Sequence, residues 1–193
     1  MNPRTSGRKT PASGLFQRAL LDRWSELPPE VRRLHTIAGR GRFVGVAKVE
    51  RGSGFVAALA AWFFGFPRAG DRIPLTLTKY RARAGEVWER NFGGAVFQSY
   101  CTPSNRKYHY RERFWLFNFE QELPVEAGAM YLPVRRGWFL GVPIPRPLLP
   151  QSDSKEFAAD GRFCFDVSLG LPLSGAPIVR YSGWLSPEKT NDA

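Results

Sequence analysis

The chain has 193 residues, 43% of them hydrophobic and 14% aromatic, and carries a formal net charge of +11. This supplies one substantial core and excludes a disordered or fibrous chain. Two cysteines, Cys101 and Cys164, and two histidines are too sparse for a zinc or iron–sulfur centre, so no metal and no cofactor is expected and both thiols are read as reduced.

Residues 1–13 are polar, with Arg4, Arg8 and Lys9, and lack the apolar stretch of a secretory signal. They read as a disordered basic tail on a cytoplasmic protein. Leu15, Phe16, Ala19, Leu20, Trp24 and Leu27 recur at helical spacing and form one apolar stripe. Pro28-Pro29 interrupts it, and Pro29 suits the first position of a second short helical turn ending at His35. Residues 42–51 alternate, with Phe43, Gly45, Ala47 and Val49 on one face, as in a strand covered on both sides. Phe55–Phe66 (FVAALAAWFFGF) reads as a helix that is apolar all round and too short to cross a bilayer.

From Ile73 the chain reads as strands and turns. Residues 86–92 place Trp88, Arg90 and Phe92 on one face, and Gly93-Gly94 turns them into a second strand. Residues 107–123 read as one long strand, straight or bent, with Arg111, Arg113 and Trp115 sharing a face. Residues 128–139 continue as a strand, and the four prolines of 141–150 make a crossing loop. Asp160-Gly161 is a hairpin turn before the clearest period-two stretch, in which Phe163, Phe165, Val167, Leu169 and Leu171 alternate with Arg162, Cys164, Asp166, Ser168 and Gly170. Residues 178–185 form a last strand, and 188–193 are a polar tail. The prediction is one mainly β domain over residues 14–187. Its architecture is a curved antiparallel sheet or barrel of about eight to ten strands, with an N-terminal helix and one inserted apolar helix.

Several side chains suit a binding site. His35 titrates near neutrality and could act as a base, or simply end a helix. Trp88 with Arg90, and Arg111 with Arg113, set cations beside aromatics, either to grip a planar or anionic ligand or as cross-strand pairs. Asp166 with Arg180, and Tyr181 next to it, could contact a polar ligand group, or Asp166 could be paired on the solvent face. Trp62, Phe63, Phe64 and Phe66 are candidates for an apolar lid, a membrane or partner contact, or a buried plug. The basic residues are spread among acids and accompany no recognition motif, so nucleic acid is not an expected partner.

Several blocks also resemble a known family. They are Leu27–His35 (LPPEVRRLH), Val49–Gly54 (VERGSG), Gly65–Gly70 (GFPRAG), Trp88–Ser99 (WERNFGGAVFQS), Gly141–Pro150 (GVPIPRPLLP), Asp160–Pro172 (DGRFCFDVSLGLP) and Val179–Pro187 (VRYSGWLSP). In order and spacing they resemble domain of unknown function 4166 over about residues 15–187. The resemblance implies no catalytic residues, because none are assigned in the family. It does imply a candidate partner, since the domain can follow a saccharopine-dehydrogenase-like oxidoreductase domain. A glycine-type break is expected after Glu112-Arg113-Phe114; this chain has Trp115-Leu116-Phe117, so the strand is expected to run straight there. The leading functional expectation is a non-enzymatic pocket for a hydrophobic or amphipathic, lipid-like molecule. The alternatives are a small enzyme using His35 with Asp166 or Glu112, and an accessory module docking through Phe55–Phe66 to a membrane or an oxidoreductase.

Overall fold

The computed structural model of the chain describes residues 14–37 and 39–188. The tails expected at 1–13 and 189–193 lie outside the described residues; Glu188 is described, and its backbone N–H donates to the Arg42 carbonyl. In chain order the elements are α1 (Leu15–Leu20), a 3-10 turn (Leu21–Glu26), α2 (Pro29–His35), β1 (Arg40–Arg51), α3 (Phe55–Phe63), β2 (Gly70–Ala82), β3 (Gly85–Phe92), β4 (Ala95–Pro103), β5 (His109–Phe114), β6 (Phe117–Glu122), β7 (Val125–Glu126), β8 (Ala129–Tyr131), β9 (Val134–Phe139), β10 (Val142–Pro143), a second 3-10 turn (Arg146–Leu148), β11 (Gln151–Ala159), β12 (Arg162–Gly170) and β13 (Pro177–Pro187). Ten of the strands have six residues or more; β7, β8 and β10 are pieces of two or three.

The thirteen strands among the described residues join one antiparallel sheet in the order β10-β9-β6-β5-β4-β3-β2-β1-β13-β12-β11-β8-β7. The ladder does not close into a barrel. Yet β8 on β11 and β9 on β6 are separated in the chain only by Leu132-Pro133. The Leu132 N–H donates to the Ser154 carbonyl, and the Glu122 N–H donates to the Pro133 carbonyl. Two residues of chain thus bridge the gap between distant parts of a strongly curved sheet.

Antiparallel pairing sends successive connections to alternate ends of the sheet. At one end, the floor, α1 and α2 plug the concave side. Leu15, Phe16, Leu20, Leu27, Val31 and Leu34 are each at most 2% exposed, and each contributes about 1.5–3 kcal/mol by burial. The Phe16 ring centre lies 4.0 Å from that of His35 and 4.8 Å from that of Tyr110. The opposite end, the mouth, carries α3, the turns at 93–94, 115–116 and 140–141, the proline-rich stretch and the 171–176 loop.

Three local expectations need correction. Residues 107–123 are not one strand but the β5–β6 hairpin, turning at Trp115-Leu116 although no glycine is present. Trp115 takes φ +51, a left-handed conformation that costs an L-residue about 1–2 kcal/mol. The turn reverses the parity, so Glu112 pairs with Phe119 and both face inward. Residues 128–139 are split into β8 and β9 at Leu132-Pro133, since proline donates no ladder hydrogen bond. The proline-rich loop contains β10 and a 3-10 turn.

Candidate functional site

The concave face encloses a cavity of about 150 Å³. Strand alternation builds it: β3 contributes Trp88, Arg90 and Phe92, β5 contributes Tyr110, Glu112 and Phe114, and β12 contributes Phe163, Phe165, Val167 and Leu169. Leu75 and Leu77 from β2, Tyr181 from β13 and Glu156 from β11 complete the wall. Phe64 and Phe66, from the chain after α3, enter at the mouth.

The lining is graded. Toward the mouth it is apolar, with Phe64, Phe66, Phe92 and Phe114. Midway sits a polar cluster. Arg90 donates from Nη2 to Glu112 Oε1 at 3.1 Å and from Nη1 to Ser99 Oγ at 2.9 Å. The Tyr110 hydroxyl and Gln121 Nε2 donate to Glu112 Oε2 at 3.1 and 2.8 Å. Burial alone would depress the Arg90 guanidinium, but the Glu112 carboxylate outweighs it and raises the pKa. Burial pushes the Tyr181 hydroxyl up to about 12, so it stays protonated and able to donate. Its ring faces the cavity, and among the described residues its hydroxyl takes no hydrogen-bond partner.

Beneath the cup, a second set of buried charges joins helices to sheet. Lys79 Nζ lies 3.1 Å from Glu86 Oε2 and donates to the Leu34 carbonyl at 2.9 Å. Glu86 also accepts from Trp88 Nε1 and the Leu15 N–H. Burial pulls the Lys79 pKa down against the pull of Glu86. The Glu86 carboxyl would rise on burial, but Lys79 and the Trp88 hydrogen bond hold it below its ordinary value. His35 Nε2 meets Glu156 Oε2 at 2.5 Å, while the buried Nδ1 has no partner among the described residues. An imidazolium would leave a buried N–H unpaired, so this geometry assigns the neutral ring with its proton on Nε2. Burial lowers the His35 pKa in the same sense.

The residues singled out in the sequence separate cleanly. Trp88, Arg90 and Tyr181 line the cup, and His35 lies under it with Glu156 as its partner, apart from Asp166. Arg111 is bonded to Glu120 and stacked over Trp138, and Arg113 lies over Tyr100, so neither lines the cup. Asp166 accepts both Nε and Nη2 of Arg180 at 2.9 and 2.7 Å on the exposed convex face. Phe64 and Phe66 turn inward, whereas Trp62 and Phe63 are exposed. The sequence alone does not mark Glu156, Gln121 or the Lys79–Glu86 pair. An isolated polar residue on a strand carries no signal of facing inward until its partners are known. Cys101 and Cys164 are both free thiols. Among the described residues no group of three or more His, Cys, Asp and Glu could hold a metal, and no helix is long and apolar enough to cross a membrane.

Fold and site define a class: a single curved antiparallel sheet wrapped around a graded, small-molecule-sized cup, floored by N-terminal helices. Within that class the chain belongs to the family described as domain of unknown function (DUF4166), whose model matches residues 27–185, from the end of the first 3-10 turn to the last strand. No curated protein and no solved structure matches the chain.

Proposed function

We propose that the cup binds a small amphipathic, lipid-like molecule, with its polar group at Arg90, Glu112 and Tyr181 and its apolar part toward Phe66 and Phe114. The observation that carries this reading is a protonated Tyr181 hydroxyl, without a hydrogen-bond partner among the described residues, beside a polar cluster in a cavity whose mouth is apolar. The hydroxyl opens onto the cavity, so a hydrogen bond from it to an acceptor on a ligand adds about 0.5–1.5 kcal/mol. A cavity of about 150 Å³ holds a group on the scale of a benzene ring. A longer chain therefore extends through the mouth. The enzyme reading has less support: His35 and Glu156 are engaged with each other, and Glu112 already accepts three donors.

Titration with octanol, octanoate and octylamine, read by native mass spectrometry and calorimetry, tests this. Octanol and octanoate, which offer acceptors, are expected to bind at one site more tightly than octylamine. Tyr181→Phe, which removes an unpaired hydroxyl at little cost to the fold, is expected to weaken octanoate by roughly tenfold. Equal binding of all three probes, or none, contradicts the proposal.

A further inference from the structure

We propose that the mouth end of the cup docks on an anionic lipid bilayer, which would then be the source of the cup's ligand; that last clause alone rests on the binding reading above. Fourteen large apolar residues are exposed among those described, and thirteen, all but Leu21, stand at the mouth end. They come from separate places: Phe55 and Trp62 on α3, Trp115 on the β5–β6 turn, Leu140 on the β9–β10 turn, Val142 on β10, and Leu173 in the 171–176 loop.

Two features show that this placement is not incidental. The α3 helix is turned inside out: it buries Ala57 and Ala61 and leaves Phe55 80% and Trp62 77% exposed. A core helix would do the reverse, since aromatic side chains gain most from leaving water. Moreover, Trp115, Leu140 and Leu173 take φ of +51, +51 and +64. These are left-handed turn positions, ordinarily given to Gly, Asn or Asp; Leu21, Tyr108 and Ala127 share that conformation at the floor end, but the three mouth positions hold large apolar tips that are 64–74% exposed.

Charge selects the occupant. The mouth-end connections 52–69, 93–94, 115–116, 140–141, 144–150 and 171–176 contain no Asp or Glu and two arginines, Arg68 and Arg146. Arg72 and Arg113 flank them. The nearest acids, Glu50 and Asp71, both lie within reach of Lys48, at 3.2 and 4.0 Å. Separate apolar tips set among arginines suit a fluid interface of acyl chains under anionic headgroups. A second copy is the poorer occupant, because two chains of charge +11 repel each other.

Co-sedimentation with phosphatidylcholine vesicles, with and without phosphatidylglycerol, tests the docking. The wild type is expected to bind the anionic vesicles with a blue shift of tryptophan emission, less strongly as salt is raised. The triple variant Phe55→Ser, Trp62→Ser, Trp115→Ser changes only exposed side chains. It is expected to keep its circular dichroism and octanoate binding but to lose at least about tenfold in vesicle affinity. Wild type that ignores anionic vesicles, a triple variant that binds like wild type, or a dimer closed over Trp62 that does not bind vesicles overturns the proposal. Octanoate binding without vesicle binding removes the docking and leaves the cup; vesicle binding without octanoate binding does the opposite.

Discussion

Lys79 is fully buried, and its charge survives there because Glu86 and the Leu34 carbonyl stand against it. Such a pair adds little over an apolar core, but breaking it leaves a bare buried charge. Glu86→Gln is therefore expected to cost about 3–5 kcal/mol in urea unfolding, and the paired change Lys79→Met, Glu86→Leu much less. Titration follows from the same neighbourhood. The folded His35 titrates below its ordinary 6.5. Between the two values the unfolded chain holds more protons, so stability is complete above about 6.5 and is lost as pH falls through that window. Glu86, held below its ordinary 4.5, gives a second loss of the same sign as pH falls below about 4.5. Urea midpoints measured across pH should show both steps. In His35→Phe, Glu156→Gln the upper step should vanish, and its persistence would refute the assignment.

Among the elements, the β5–β6 hairpin shows where local signals end. Its turn lacks the glycine that normally announces a hairpin of this length, so 107–123 reads as one strand of constant parity, which hides the pairing of Glu112 with Phe119. By contrast Asp160-Gly161 and the alternation of 162–171 name both the turn and the inward face, and Phe163, Phe165 and Val167 do line the cup. Trp88, Arg90 and Phe92 were legible for the same reason. The composition of α3 marked it as apolar but not as exposed, because a buried plug and a docking helix share that composition; only its packing on Ala57 and Ala61 separates them. Trp115→Gly is expected to raise stability by about 1 kcal/mol, by relieving the left-handed φ, while weakening vesicle binding. Stability and docking measured on the one variant should move in opposite directions; a fall in stability would show that the tryptophan is held there by packing instead.

For the molecule as a whole, one curved sheet separates three environments. Ion pairs such as Asp166–Arg180 occupy the convex face, the helices and the Lys79–Glu86 pair close the floor, and aromatic tips ring the mouth. The proposed amphipathic ligand would meet the polar cluster midway down the apolar cup. Calorimetric titration of octanoate into wild type and into Leu77→Trp, without vesicles, asks this most directly. Leu77 lines the cup at 4% exposure, and the larger side chain fills the space a ligand needs. Saturable one-site binding in wild type, absent from a variant with unchanged circular dichroism, is the expected result. Equal heats from both proteins, or no binding to wild type, would contradict a ligand cup.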